Sequence, residues 1–442
     1  MSDIVTVKLW GTVIGYLGYV GHQTEVAQFE YAPEFKRSGI NLSPLLMADK
    51  DREYTFTDIS QRTFKGVPGF IADSLPDKYG TQLIDLYFEG VKQHDITTLD
   101  RLLYIGSRGM GALTYHPGAD LNGSNDGVLD LNALAGLAQM IISRKDKLST
   151  DLFGSKERGD AIQHIKISSS AGGARAKALI ALSSDGTIKD GTQDHGVDHR
   201  YYLIKFDTQG NKDRDHEDPK GMTKVESVYA DIARECGINI PDTSAIEIGD
   251  DYHFLIERFD LIKRQSADKS SKLDKLHYVS WSGMAHAHRD ATGVYGYEQL
   301  VAVVRQLNLG QQALNEVFRR AVFNIVGRNQ DDHTKNIGFL MDRSGQWSLA
   351  PAFDLTYSYD PQGMWTSTHQ IRLSGKQDGF TRDDLLRFAS FCDVKDKMAN
   401  EIIDKTCESF SPFKAKAQKL DIDNDLVELI DGNLRLDLGL KE

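Results

Sequence analysis

Between Leu314 and Asp354 a stripe of apolar residues gives way to a run with no apolar side chain, and this switch limits what the chain can fold into. Leu314, Phe318, Val322 and Ile325 recur at three- and four-residue steps, the pattern of a helix that buries one face, and Gly327 follows as a stop signal. Residues 331–336, "DDHTKN", read as a polar loop. Residues 337–341 read as a short strand, "DRSGQ" as a turn, and "WSLAPAFD" as a second apolar strand ending on Asp354. The expected order is helix, polar loop, hairpin, aspartate.

Phosphoryl transfer has use for that order. A carboxylate must orient the attacking hydroxyl and accept its proton, while an amide oxygen and a second carboxylate hold magnesium against nucleotide phosphates. Asp331 and Asn336 are five residues apart, the spacing of the base and the metal-binding Asn in a protein-kinase catalytic loop. Asp354, after the hairpin, takes the place of the second metal carboxylate. Taken alone, the hexapeptide is equally well explained as a solvated turn rich in Asp and Asn.

At 442 residues the chain exceeds one ordinary core, and a prior of about 150 residues per domain suggests roughly two to four units. No stretch approaches the roughly 18 uninterrupted apolar residues of a membrane span. The opening "MSDIVTVKLW" runs straight into alternating strand text without a basic leader, so no membrane segment or signal peptide is expected and the expected location is cytoplasmic. Cys236, Cys392 and Cys407 are odd in number and lack metal-ligand spacing, so they read as reduced residues. With 64 acidic against 52 basic residues the formal charge is −12, which argues against a surface that grips nucleic-acid backbone broadly.

Residues 4–31 carry alternating strands around a Gly-rich turn, a small β unit, and helix-like text follows through "DRLLYIGSRGMGALTYHP". Gly106, Gly109 and Gly111 mimic a phosphate loop, but no strand-to-helix context surrounds them, and a turn or tight packing explains them better. "HPGADLNGSNDG", 116–127, is the first clear break.

A site acting on ATP also needs a phosphate-covering loop, a lysine, its acidic partner and an adenine hinge, and each has a candidate in chain order. In "IKISSSAGGARAKALIAL", Gly172, Gly173 and Ala174 lack bulky side chains, so backbone N–H groups can approach phosphate oxygens, and Arg175 and Lys177 add positive charge. A plain hairpin turn accounts for the same text. Lys205 lies in the apolar strand "YYLIKFD"; buried there it demands a partner, and Glu226, opening the helical "ESVYADIARECGINIP", is the natural one. An exposed strand lysine is the alternative. "DYHFLIERFD", 251–260, reads as a strand whose end presents backbone groups of Glu257 to Phe259 to adenine.

The segments "SSAGGARAKA", "LIKF", "ESVYADIARECGINIP", "FLIERFD", "NQDDHTKNIGF" and "LAPAFDLTYSY" resemble, in order, motifs of the HipA family of bacterial serine/threonine kinases, the toxins of HipBA toxin–antitoxin pairs. "LWGTVIGYLGYV", "LSPLLM", "IADSLPDKYG" and "YIGSRGMGALTY" are similar to the β-rich module ahead of that kinase core, so the likeness spans nearly the whole chain.

The resemblance implies an α+β, bilobal protein-kinase-like fold: a β-rich N-terminal module over 1–118, a kinase N-lobe over 119–258 with phosphate loop and hinge, and a mainly helical C-lobe over 259–442 with the catalytic loop. It implies ATP and Mg2+ as cofactors. Lys205 would bind nucleotide phosphates and pair with Glu226, Glu257 and Phe259 would form the hinge, and Asp260 would lie near the ribose. Asp331 would be the catalytic aspartate, supported by His333 and Lys335, with Lys335 able to touch the transferring phosphoryl, and Asn336 and Asp354 would be magnesium ligands. A phosphate-loop serine would be autophosphorylated; Ser170 is the matching position, beside Ser168 and Ser169. Arg175 and Ala176 depart from the Gln and Pro or Glu that the family often carries there. The implied partners are a protein substrate, glutamyl-tRNA synthetase being the family's best-known target, and a small helix-turn-helix antitoxin through which DNA is met only indirectly; no membrane is expected. An inactive ATP-binding scaffold acting as antitoxin corepressor, and a small-molecule or lipid kinase, are the rival readings.

Overall fold

The computed structural model describes residues 4–20, 25–89, 95–118, 129–143, 175–208, 219–265 and 271–439. They fall into two compact units. The first comprises Met1–Glu217, Leu255–Val279 and Leu340–Gln346, and the second Asp218–Phe254, Ser280–Phe339 and Trp347–Glu442. Helices and sheets are both present, an α+β architecture.

The first unit opens on five antiparallel strands, β1 (Ile4–Leu9), β2 (Thr12–Tyr19), β3 (Ala27–Tyr31), β4 (Tyr54–Thr55) and β5 (Leu113–His116), in the order β4-β3-β2-β1-β5. Val5, Val7 and Leu9 alternate inward on β1 and are almost fully buried. Leu9 pairs with Thr12, so Trp10 and Gly11 form a two-residue turn. Both have positive φ, 50° and 86°, which is the backbone that matches strand twist in a hairpin and explains the glycine. Phe29 meets Tyr31 and Phe70 edge-on, with ring centroids 5.0 and 5.7 Å apart. The helix Thr98–Ile105 starts on a capping box: the Thr97 hydroxyl accepts from the Asp100 N–H, and the Asp100 carboxylate accepts from the Thr97 N–H.

In the same unit β6 (Lys177–Leu182) lies between β7 (Ile188–Asp190) and β8 (Arg200–Lys205), antiparallel to both. Lys205 is the last residue of its strand rather than its middle. The strand expected over 251–260 ends at Glu257, and Arg258 to Asp260 turn out of it.

The second unit is mainly helical. The expected stripe of Leu314, Phe318, Val322 and Ile325 forms the buried face of the helix Gly310–Val326. Gly327 ends that helix with φ −81°, so the glycine is not there for a left-handed turn. A Cβ on it would lie 2.4 Å from the Phe410 ring, and this close approach is what requires glycine. Tyr229, from the helix Met222–Glu235, packs edge-on against Phe410 and donates its hydroxyl to the Gly327 carbonyl at 2.6 Å. The second strand of the expected hairpin is shorter than its apolar text. It stops at Leu349, because the Ala350 carbonyl accepts from Arg320 and the Ala352 N–H donates to Asn239 O. Among the described residues, no helix is long and apolar enough to cross a membrane.

His277, in the first unit, is 1% exposed, and burial pushes its imidazole pKa down to about 3. The unfolded chain takes up that proton near the ordinary value of about 6.5. Between the two, the unfolded state holds the extra proton, so stability falls as pH drops below about 6.5, by at most about 1.4 kcal/mol per unit from this group. Urea unfolding between pH 7 and pH 4 is expected to show a shallower acid limb for His277→Gln than for the wild type, and parallel limbs would contradict the assignment.

Candidate functional site: the 331–336 loop and its supports

The loop leaves the Gly310–Val326 helix through Arg328, which has φ 53°, and closes as a 3-10 turn over Thr334–Asn336. Asp331 is partly exposed, while Asp332 is buried. The Asp331 N–H donates to the Ser358 hydroxyl at 2.9 Å, and that hydroxyl donates to Asn329 Oδ1 at 3.3 Å. Asn329 Nδ2 donates to Asn324 Oδ1 at 2.9 Å and, at the long limit of 3.5 Å, to the backbone carbonyl of Asp354. One buried amide therefore reaches the start of the polar loop through Ser358 and meets the backbone of the later aspartate directly.

Asn336 spends its amide N–H on the Asp331 carbonyl at 2.9 Å, which fixes the side-chain orientation and leaves Oδ1 as the oxygen able to meet a hard cation. Asp354 has φ 53°, a left-handed backbone that costs a non-glycine residue about 1 kcal/mol or more and that Asp tolerates better than most. His333 is 9% exposed. Burial lowers its pKa, with Arg289 adding to the effect and the Asp331 and Asp354 carboxylates opposing it. Its Nε2 lies 3.8 Å from Asp331 Oδ1, too far for a hydrogen bond, and with the imidazole held toward neutral this contact is no ion pair. The Asn336 bond to the Asp331 carbonyl, the His333 contact with Asp331 and the Ser358–Asn329 link to the Asp354 carbonyl bring Asp331, His333, Asn336 and Asp354 into one locale. Lys335 is half-buried in the 3-10 turn.

Asp332 has no counterpart among the residues singled out from sequence. Its carboxylate accepts from the Tyr297 hydroxyl at 3.0 Å, from His369 Nδ1 at 3.0 Å and from the Gln370 N–H at 2.8 Å. The only sequence signal was a second acid beside Asp331.

The remaining expected residues lie elsewhere. Ser168, Ser169, Ser170, Gly172, Gly173 and Ala174 fall outside the described residues. Arg175 is half-buried ahead of β6. Lys177 and Lys205 are Cα partners across β6 and β8, so both side chains project from the same face, and both are buried. Like charges opposed in this way repel. Lys177 is offset by Asp77 at 3.2 Å, a residue that no local pattern pairs with it. Lys205 belongs to the first unit and Glu226, buried in the second turn of its helix, to the second.

At the end of β9 (Asp251–Glu257), Glu257 pairs with Arg200 at 2.7 Å on the surface. The Phe259 ring lies 5.9 Å from that of Tyr278. Asp260 is fully buried, and its carboxylate is engaged: Arg258 grips it bidentately at 3.0 and 2.8 Å, and the Gly111 N–H donates to it at 2.7 Å. Burial pushes the Asp260 pKa up, but Arg258, Lys275 and the Gly111 N–H outweigh it and hold the carboxyl below its ordinary value. Lys275 donates to Ser107 O and Gly109 O, and burial, with Arg258, pushes its pKa down to about 8. The glycine loop 106–111 thus spends its backbone groups on Asp260 and Lys275. Gly111 has φ 75°, and a Cβ there would lie 3.2 Å from Tyr278 N, so tight packing explains the glycine.

Replacing Asp260 by Asn leaves the Arg258 charge buried without its carboxylate, and a loss of about 3–5 kcal/mol is expected. Glu257→Gln removes only a surface partner and should cost less than about 1 kcal/mol. Denaturant unfolding of the two variants measures both, and equal losses would contradict the structural assignment of Asp260.

Family models match the chain in two places: the HipA N-terminal domain over residues 5–116 and the HipA-like C-terminal domain over residues 169–412. Among solved structures, the chain is similar to one of the Shewanella oneidensis MR-1 toxin–antitoxin system HipA, HipB and operator DNA complex. The TM-score is 0.64 at 16% identity, covering 98% of this chain and 96% of that one, and it speaks for the fold alone. A Haemophilus influenzae protein whose name proposes a kinase is 28% identical over 149 residues. That match covers 30% of this chain and spans 40% of the relative's own length.

Proposed function

The chain belongs to the HipA family, and from that premise we propose that it is an ATP- and Mg2+-dependent serine/threonine-protein kinase, the toxin of a toxin–antitoxin pair. The observation that carries this reading is the Asn336 amide, whose N–H is spent on the Asp331 carbonyl so that its oxygen is left for a cation, in a loop that Ser358 and Asn329 tie to the backbone of Asp354.

In this reading Asp331 orients the acceptor hydroxyl and takes its proton as the γ-phosphoryl transfers. Asn336 and Asp354 supply oxygen ligands of the type Mg2+ requires. The bound ion would offset charge on the nucleotide phosphates. His333, its pKa lowered by burial, would support the loop, and Lys335 would touch the transferring phosphoryl. Lys177 and Lys205, buried side by side, form a face that favours an anion, and with Arg175 and the backbone of Gly172, Gly173 and Ala174 they would hold the phosphates. Glu226 would pair with Lys205, and backbone groups from Glu257 to Phe259 would meet adenine. Asp260 keeps that segment in place; its carboxylate is already engaged, so no ribose contact is assigned to it.

The acceptor proposed is a protein Ser or Thr hydroxyl, glutamyl-tRNA synthetase being the first target to test. A small helix-turn-helix antitoxin is the proposed partner, with DNA met through it; in support, the Shewanella HipA was solved with HipB and operator DNA.

Incubating the protein with radiolabelled ATP, Mg2+ and a bacterial lysate should place label in protein. Label in small molecules or lipid instead would favour a different kinase class, and no label at all would favour a corepressor scaffold. Asp331→Asn should lower transfer by at least about 10²-fold while nucleotide binding survives. Asp354→Asn should weaken nucleotide binding and flatten its Mg2+ dependence in a fluorescent-nucleotide titration; an unchanged dependence would remove Asp354 from the metal site.

Autophosphorylation on Ser170 would add about −1.5 to −2 charge to a loop meant to face triphosphate, and repulsion would favour a displaced, less active loop. Mass mapping after ATP treatment should find one phosphate on residues 168–170, and Ser170→Ala should stay active longer. No phosphate on that segment would sink the regulatory proposal.

A further inference from the structure

The buried carboxylate of Asp332 is the end point of two hydrogen-bond chains whose direction is fixed by chemistry. Arg435 Nη1 lies 3.1 Å from His369 Nε2, and a guanidinium can only donate, so Nε2 must be the bare nitrogen. The ring proton is therefore on Nδ1, which donates to Asp332 Oδ2. In the second chain the Asp331 N–H donates to Ser358, Ser358 to Asn329, and Asn329 to Asn324. Asn324 Nδ2 then donates to the Tyr297 oxygen at 3.0 Å, which leaves the phenolic proton for Asp332 Oδ2. Burial, then Asp332, raises the Tyr297 pKa, so that proton stays on. Every donor–acceptor sense is consistent, and the second chain begins on the backbone of the residue next to the one where it ends. His369 is fully buried and Tyr297 nearly so.

We propose that Asp332 is a positioning residue: the Arg435–His369 relay and the Tyr297–Asn324–Asn329–Ser358 relay, both ending on its carboxylate, fix the backbone of Asp331 and so the aim of its side chain. This rests on the reading of Asp331 as the proton acceptor. An amide at 332 cannot replace the carboxylate, because its NH2 would face one of three donors. The loop would have to shift, and a misplacement of about 1 Å in a reacting group can cost about 10²-fold in rate.

The test measures kcat and KM for ATP-dependent transfer in the full-length wild type and in Asp332→Asn, His369→Asn and His369→Leu, with nitrogen-15 NMR of His369 in the nucleotide-free wild type. Asp332→Asn and His369→Leu should each lower kcat about 10²-fold with KM for ATP within about threefold of wild type. His369→Asn places an amide N–H near the lost Nδ1 donor and should recover to within about tenfold of wild type. The NMR spectrum should show protonated Nδ1 and bare Nε2. Unchanged kcat, parallel changes in kcat and KM, or the opposite tautomer would each overturn the relay while leaving the kinase reading intact. A wild type that transfers no phosphate overturns both. If Asp332→Asn does not fold, the His369 pair and the tautomer still decide the matter.

Discussion

A carboxylate taken out of water must be met by donors or it neutralises, and Asp332 meets that demand without a direct ion pair. Its three donors come from separate stretches of chain: Tyr297 at the start of one helix, and His369 and Gln370 on the segment after Asp354. Arg435, some 66 residues beyond His369, joins through the imidazole and also donates to the Ile325 carbonyl at the end of the Gly310–Val326 helix. The 331–336 loop sits at the centre of these contacts. The first unit has a counterpart in Asp260, where a bidentate guanidinium and a glycine N–H do the same for a carboxylate between a strand end and the 106–111 loop.

The two adjacent acids at 331 and 332 divide the work. Asp331 is partly exposed, while Asp332 begins a buried run that continues through Thr334. In the proposed reading the more exposed acid serves the chemistry and the buried one the architecture of the loop.

Local pattern made part of this legible in the sequence. The stripe of Leu314, Phe318, Val322 and Ile325 specifies a helix face, and the five-residue step from Asp331 to Asn336 marks the polar loop, while His333 and Lys335 come only with the family resemblance. What the sequence did not disclose depends on contacts distant along the chain. Asp77 offsets Lys177 across 100 positions, and Gly111 reaches Asp260 across 149. Nothing in the text "ERFD" tells a ribose ligand from a carboxylate locked by its own neighbour two residues back. Gly327 was read as a helix stop, but the Phe410 ring that requires it lies 83 residues on. The strand ending on Asp354 was read too long because apolar text does not reveal where side chains capture the ladder's backbone groups. Which of two neighbouring aspartates faces inward is a matter of phase in a loop, and a loop has no fixed period to set it.

The central claim is that Asn336 and Asp354 hold one divalent cation for a nucleotide at the Asp331 loop. The most direct measurement is a crystal structure with a non-hydrolysable ATP analogue and Mn2+ in place of Mg2+, located by its anomalous signal. The account predicts a peak about 2.0–2.2 Å from Asn336 Oδ1 and from an Asp354 carboxylate oxygen, the range of hard-cation contacts of this size. A nucleotide bound with its metal away from both residues would contradict it.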